Sequence, residues 1–377
     1  MADTENNKNS NSPALRFPGF SEPWKRIRLG DNCTIQMCKR IFANQTSEAG
    51  DVPFFKIGTI GSRPDAFISK ELFDEYKTKY NYPIEGEVMI TCAGTVGKTL
   101  QFDGSDSYFQ DSNIVWIHNP NQLTINDFLA YILGKINWNK LNSTTITRIY
   151  NDDLRNLFYY APENVAEQKN IVLLLRLIDE RISTQRRLIE DLEKLKSSIA
   201  HHLFQQSAPI LPLGELASVT NGNADVQDAI ENYEMGLYPF FDRSEQIKYL
   251  NKFYLDKVAI IYAGEGQNFF PRYFEGKFAL HQRCYAIYDF DEQILPRYCY
   301  HYMQQLNCYF QKTAVGSTVA SLRMNNFLNA PIKLPSISTQ KNIMSVLDSI
   351  EDLVHVEQRL LSNYIRQRQY LLCKLFI

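Results

Sequence analysis

The sequence repeats itself at an offset of 172 residues, and the repeated part is a long helix. Glu167-Gln-Lys-Asn-Ile171 recurs as Thr339-Gln-Lys-Asn-Ile343. Alternating steps of four and three from Ile171 reach Leu175, Ile178, Ile182, Gln185, Ile189, Leu192, Lys196, Ile199 and Leu203. The same steps from Ile343 reach Leu347, Ile350, Val354, Glu357, Leu361, Tyr364, Arg368, Leu371 and Leu375. Eight of ten places are apolar in each run, and the two polar exceptions fall at the same fifth and eighth places. A period of 3.5 held this long is the pattern of a coiled-coil seam. Neither run contains proline. Each therefore predicts one unbroken helix of about 35 to 40 residues, or roughly 55 Å. The shared register predicts that the two helices pack antiparallel against each other. Gln185, Lys196, Glu357 and Arg368 would set that pairing, since polar seam residues specify register at a cost in stability.

The segments upstream of each helix align weakly. Pro53-Phe-Phe55 answers Pro239-Phe-Phe241, and Glu87 to Thr91 with Ala93-Gly94 answers Lys257 to Ile261 with Ala263-Gly264. Ser143-Thr144 through Leu154 answers Ser317-Thr318 through Leu328. Short β-branched and aromatic runs divided by Gly, Asp and Asn dominate both segments, with helical patches at Ile125 to Leu133 and Pro296 to Leu306. The expected class is α+β: two mixed, strand-rich domains separated and joined by two long antiparallel coiled-coil helices. The expected division is a disordered lead over 1–14, a first domain over 15–163 and a first helix over 164–206. A second domain over 209–336 and a second helix over 337–377 follow.

Forty Lys plus Arg stand against 42 Asp plus Glu, a net charge of −2. Any nucleic-acid surface must then come from local arrangement and not from total charge. The seven cysteines form no CxxC pair, which points to free thiols in a reducing compartment and against a disulfide framework or zinc site. No apolar run approaches the roughly 18 residues that span a membrane, and the polar N-terminus lacks a signal core. A cytoplasmic location is expected, with no membrane partner.

Several enzyme motifs fail on their own chemistry. Ala93 to Thr99 looks like a phosphate-cradling loop, but Cys92 occupies the place of the required first glycine. Asp65 with Glu75 and Lys77 loosely resembles a metal-dependent nuclease pattern, yet Glu71 to Lys79 reads as a solvated charged face with no counterpart in the second half. No Pro-Pro occurs, so the amino-methyltransferase motif is missing, and the histidines assemble no nucleophile or metal set. No cofactor of its own is expected. What remains is polar. Lys39, Arg40, Lys56, Lys98, Gln110 and Asn113 in the first domain are candidate base or phosphate contacts. In the second domain they are Arg243, Gln267, Arg272, His281, Gln282 and Arg283, beside Asn221 and Asn223. Arg, Lys, Asn and Gln are the side chains that pair bidentately with purine edges in the major groove.

Leu15-Arg-Phe-Pro-Gly-Phe20, Trp24 and Leu29-Gly-Asp31 resemble the opening of specificity (S) subunits of type I restriction–modification systems. Lys56-Ile-Gly-Thr59, Gly86 to Lys98, Tyr108 to Asn113 and the helix start at Glu167-Gln168 are similar to further stretches of that family. So are Arg243-Ser-Glu245, Gly264-Glu-Gly266, Gly276-Lys-Phe278 and His281-Gln-Arg283. The resemblance spans about residues 15 to 377, in the family's order of recognition domain, spacer helix, recognition domain, spacer helix. It implies a non-catalytic reader of double-stranded DNA, each target recognition domain taking one half of a bipartite, asymmetric site. It also implies two docked modification (methyltransferase) subunits bringing S-adenosylmethionine, and restriction subunits joining them, with ATP and Mg²⁺ likewise expected on the partner subunits. One departure is charge: Leu211 to Ser336 holds 11 basic against 13 acidic residues, which leaves much of the positive surface to the methyltransferases. The alternatives from other classes are a metal-dependent nuclease and a coiled-coil protein adaptor.

Overall fold

The computed structural model describes residues 11–138, 148–316 and 318–377. Ser143, Thr144 and Ser317 of the repeat match, and residues 1–10 of the expected lead, lie outside them. The chain divides into two compact units, Met1–Thr184 with Ser362–Ile377, and Gln185–Leu361.

Unit 1 runs β1 (Lys25–Arg28), α1 (Leu29–Asn32), β2 (Thr34–Gln36), β3 (Val52–Phe55), β4 (Phe67–Ile68), α2 (Lys70–Lys79), β5 (Val88–Thr91), β6 (Thr99–Gln101), β7 (Tyr108–Phe109), β8 (Ile114–His118), α3 (Asn126–Lys135), α4 (Asn151–Arg155) and β9 (Phe158–Ala161). Its sheets are ordered β2-β8-β5-β6 and β4-β3-β7, with β1 paired to β9. Ser69 caps α2 by accepting from the Leu72 N–H, and Phe73 of α2 is buried over Tyr82 and Tyr108.

The helix α5 (Val165–Leu203) leads into unit 2, which runs β10 (Ile210–Pro212), β11 (Ser218–Asn221), β12 (Tyr238–Phe241), β13 (Lys248–Leu250), β14 (Leu255–Ala263), β15 (Arg272–Leu280), β16 (Cys284–Tyr288), α6 (Pro296–Met303), α7 (Asn307–Thr313), α8 (Met324–Leu328) and β17 (Pro331–Lys333); α9 (Ile337–Leu375) follows, with its residues from Ser362 on in unit 1. The main sheet is β11-β16-β14-β15-β12-β13. The Phe-Phe strands matched in sequence are β3 and β12, and the apolar runs before Ala-Gly are β5 and β14. The units differ where β15 is one nine-residue strand and its counterpart is split into β6 and β7. The Asp103-Gly104-Ser105-Asp106 turn makes that break, and Asp106 is held there by Lys70 and Lys77. Alternation sorts β14 between two cores. Ala259 and Ile261 join Phe241 and Phe278 on one face, while Ile260 and Tyr262 face α6 and the long helices on the other.

The long helices owe their position to their buried stripe. Ile171, Leu175, Ile178, Ile182, Gln185 and Ile189 are buried, and Leu192 and Lys196 half-buried. On α9, Ile343, Leu347 and Val354 are buried, and Ile350, Glu357, Leu361, Tyr364 and Arg368 half-buried. Each fully buried Ile or Leu contributes about 1.5–3 kcal/mol. Within unit 2, Gln185 bonds Glu357 and Lys196 bonds Glu351 at 2.6 Å, so rising numbers on α5 meet falling numbers on α9: the helices are antiparallel. Within unit 1, Arg368 bonds Asp179. The two bases are 368 − 196 = 172 apart and the two acids 351 − 179 = 172 apart, so the eighth-place base meets an equivalent acid in both units.

The repeated Gln-Lys-Asn has a physical cause. Gln168 is fully buried; its Oε1 accepts from the Ile125 N–H, and its Nε2 donates to the Leu123 and Pro162 carbonyls. Gln340, equally buried, accepts from the Leu295 N–H and donates to the Gln293 and Pro335 carbonyls. Each amide satisfies three backbone groups and ties a helix start to the loop before α3 or α6. The preceding place differs because Glu167 receives Arg16 (2.7 and 2.9 Å) and the Trp24 indole N–H (3.2 Å). Segment 11–24 is packed accordingly: the Asn11 carbonyl accepts from the Trp24 N–H, Pro13 is buried, and the Leu15 N–H donates to the Lys374 carbonyl. Phe376, beyond the end of α9, is buried in unit 1 at 5.0 Å from Phe128 and 6.3 Å from Trp24.

One pair of contacts is reversed in sign. In unit 1, Arg176 of α5 meets Asp127 of α3; in unit 2, Asp348 of α9 meets Arg297 of α6 at 2.8 Å. The helix positions differ by 348 − 176 = 172 and the domain positions by 297 − 127 = 170, so equivalent places carry opposite charges. The first part of each long helix thus carries the charge that suits the domain before it.

Gln340→Ala removes a buried amide and leaves three part-buried backbone groups without it, and chemical denaturation should show a loss of about 2–4 kcal/mol; a loss below about 0.5 kcal/mol would refute the tying role. Arg176→Asp should cost roughly 1 kcal/mol by the same measurement, and adding Asp127→Arg should restore it, as for an ordinary solvent-facing pair. A double variant no more stable than the single one would remove the charge argument.

Candidate nucleic-acid interface

In each unit a parallel strand pair sits inside an otherwise antiparallel arrangement. Phe54 and Phe55 of β3 register with Tyr108 and Phe109 of β7, and Phe240 and Phe241 of β12 with Ala279 and Leu280 of β15. Parallel strands end side by side, so the connections that leave them meet. The Gln110 N–H donates to the Phe55 carbonyl (2.9 Å) and the His281 N–H to the Phe241 carbonyl (2.9 Å). The connection after β5 or β14 joins them: the Cys92 N–H donates to the Asn113 carbonyl (2.7 Å), and the Gly264 N–H to the Arg283 carbonyl (2.8 Å). A fourth segment is added by Ile149 N–H to the Cys92 carbonyl (2.9 Å) and Leu322 N–H to the Gly264 carbonyl (2.7 Å). The two units therefore build the same cluster of connections on different side chains. Gly264 is required there, since a Cβ would lie 2.5 Å from the Arg283 carbonyl oxygen.

Most of the sequence candidates lie on these connections; Lys39 and Arg40 follow β2 instead, and Arg272 opens β15. In unit 1, Arg40 pairs with Asp111 at 2.9 Å and Lys56 with Asp65 at 3.1 Å. Lys39 lies over the Tyr80 ring, and the Lys98 ammonium donates to the Ile60 carbonyl. Gln110 accepts from the Ile57 N–H at 3.3 Å, which turns it toward the connection after β3, and Asn113, at the end of the Gln110–Asn113 turn, is half-buried. Gly94 and Gly97, in the segment that looked like a phosphate loop, take positive φ of +64° and +82° in the tight return from β5 to β6.

In unit 2, Arg243 and Arg283 converge on Glu265 at 3.0 and 2.7 Å. Arg272 donates through Nη2 to the Ser244 carbonyl, while its Nη1 is buried without a partner among the described residues. Asp242 bonds Lys248 at 2.7 Å and the Ser244 N–H at 2.7 Å, shaping the loop that carries Arg243. Burial would raise the Asp242 carboxyl, but Lys248 and Ser244 outweigh it and hold it below the usual carboxylate range. His281 is buried, and burial pushes its imidazole below the ordinary value. Its Nδ1 accepts from the Arg283 N–H at 3.2 Å, which puts the ring proton on Nε2. Gln267 and Gln282 are exposed.

Sequence reasoning missed the acids. Asp111 and Glu265 hold the arginines of each cluster, but an acid has the wrong sign for a phosphate contact. The available signal was placement, Glu265 lying between two glycines and Asp111 inside the Gln110–Asn113 turn. The nuclease residues do not converge: Asp65 pairs with Lys56 and Glu75 with Lys79. Among the described residues no three His, Cys, Asp or Glu gather to hold a metal, and no helix is long and apolar enough to cross a membrane.

The family model for the type I restriction modification DNA specificity domain matches twice, over residues 21–194 and 210–363. The chain belongs to this family. A Haemophilus influenzae protein assigned as a type I restriction enzyme specificity subunit is 50% identical over 151 residues, 40% of this chain and 39% of that protein. The Escherichia coli EcoDI specificity subunit is 31% identical over 140 residues, 37% of this chain and 30% of that one. These matches take in well under half of either relative's length. The S subunit from M. genitalium superposes with a TM-score of 0.66 at 17% identity, over 97% of this chain and 99% of that one. A chain from a type I restriction–modification system, solved to explain complex assembly and conformational transition, gives 0.53 at 16% identity, over 96% and 98%. The family's S-subunit fold therefore holds for the two tandem specificity domains here.

Proposed function

We propose that this chain is the sequence-reading subunit of a type I restriction–modification complex and performs no chemistry itself. Residues 15–163 and 209–336 act as target recognition domains, each reading one half of a bipartite, asymmetric site in double-stranded DNA. Residues 164–206 and 337–377 act as the spacer. Two methyltransferase subunits dock on the chain with S-adenosylmethionine, and restriction subunits with ATP and Mg²⁺ complete the assembly in the cytoplasm. One observation carries this reading: both units gather the same four connections by equivalent backbone hydrogen bonds, yet fill them with different polar side chains. A shared frame with separate contents is what independent readers of two half-sites require. The arginines, lysines and glutamines there are proposed to sort between base edges and phosphates. With a net charge of −2, much of the phosphate attraction falls to the partner subunits.

Replacing residues 15–163 with another recognition domain of the family, in cells carrying the whole system, should change one half of the methylated site and leave the other. Methylation mapping reads this, and a change in both halves would overturn modular reading.

The spacer role yields a second test. Each long helix has 39 residues and passes through both units, and the antiparallel pairing ties a change in one to the other. Four residues inserted after Gln185 alone should break either Asp179–Arg368 or Lys196–Glu351 and impair assembly. Four inserted after both Gln185 and Glu357 add about 6 Å and close to one helical turn. The unread gap should grow by about one or two base pairs, at about 3.4 Å each, with both half-sites unchanged. An active paired variant with an unaltered gap would show that the helices are not the spacer.

A further inference from the structure

Glu265 is built into its position. Its backbone bridges to Ser321, the Gly264 N–H donates to the Arg283 carbonyl at 2.8 Å, and the Gly266 N–H donates to the Ala320 carbonyl at 3.1 Å. Its side chain is only 17% exposed, while those of Arg243 and Arg283 are 58% and 56% exposed. One arginine sits on each carboxylate oxygen: Arg243 on Oε2, Arg283 on Oε1. Each fork therefore spends one N–H on the acid and turns the rest of its guanidinium to solvent. Burial would raise the Glu265 carboxyl, but Arg283 and Arg243 hold it below the usual range, so it is charged at neutral pH. Arg272 adds a third guanidinium to the same loops through the Ser244 carbonyl.

This arrangement has two physical consequences. Two cations on separate connections stand close together only because an anion lies between them, so Glu265 sets where their donors point. The same anion cancels part of their attraction for a phosphate, which any duplex offers in any sequence. A G·C pair offers something else in the major groove: guanine O6 and N7 accept from an arginine fork, and the cytosine amino group donates to a carboxylate. A fork of donors beside a fixed acceptor matches that edge.

We propose that Glu265 is a specificity-determining residue of the second unit, holding Arg243 and Arg283 away from phosphates and presenting with them a surface complementary to the major-groove edge of a G·C base pair. This rests on the DNA-reading function proposed above. A matched pair lets Glu265 trade an arginine for the cytosine amino group without leaving a half-buried carboxylate unpaired. A phosphate would have to pull the arginines off and strand it, which costs more than an exposed ion pair returns.

The test uses the complex of the chain with its methyltransferase partner. Binding to a duplex carrying the mapped site and to an unrelated duplex of equal length is measured across a salt series. Glu265→Gln keeps the shape and removes the charge. Binding to the unrelated duplex should then tighten several-fold, and its log–log salt slope should steepen by about one to two, since each recruited phosphate contact adds about 0.9. Preference for the mapped site should fall at least tenfold. Unchanged unrelated binding and slope in a folded Glu265→Gln complex would overturn the proposal. Arg283→Gln is the second variant. It should weaken mapped-site binding at least tenfold and leave the unrelated slope as it was, because that arginine is already withheld from phosphates. Equal weakening on both duplexes would mark Arg283 as a plain phosphate contact and refute the role of Glu265. If the unaltered complex prefers no duplex, the DNA-reading function itself fails, which is a different result from either variant's failure.

Discussion

A buried glutamine amide at the start of each long helix is the contact on which the architecture depends. A 39-residue helix can slide or rotate on an apolar stripe at little cost, because dispersion and burial are not directional. Gln168 and Gln340 remove that freedom. Each buried amide bonds three backbone groups, so a shift of one residue would leave its own polar atoms unpaired. With the first turn of each helix fixed in this way, the seam polar pairs fall into place, and each recognition unit is anchored to its helix through the loop before α3 or α6.

The helices were legible in the sequence because their signal is periodic and local. The strands β3, β5, β12 and β14 were legible for a similar reason, as short apolar and aromatic runs beside glycine. The gathering of connections was not, because it follows from the parallel register of β3 with β7 and β12 with β15, which join residues over 50 and nearly 40 positions apart. The sign reversal between Arg176–Asp127 and Asp348–Arg297 was equally hidden, since each charge taken alone looks like an ordinary surface residue. The candidate arginines were found by residue type, but their acid partners were not, because ion pairing is a property of loop geometry.

Those acid partners bear on how a chain of net charge −2 would meet DNA under the proposed function. A protein that meets DNA through scattered lysines must be basic. One that holds arginines against fixed carboxylates can be nearly neutral, since its donors are aimed before the duplex arrives and little entropy is lost in aiming them. Under the proposed function, Arg40 with Asp111, and Arg243 and Arg283 with Glu265, would follow this plan in both units.

The first unit is discontinuous in the chain, and this bears on how the protein forms during synthesis. Its core includes Phe376 against Phe128 and Trp24, and the Lys374 carbonyl against Leu15. Residues 185–361, by contrast, form the second unit without interruption. A ribosome thus releases a nearly finished first half that still lacks one wall, then the whole of the second, and only then the wall. The usual order, in which the N-terminal part folds first, is inverted. While Trp24 and Phe128 wait, their apolar surface is open to chaperones and to the same segment of a neighbouring chain, so domain exchange between nascent copies is the hazard this design carries.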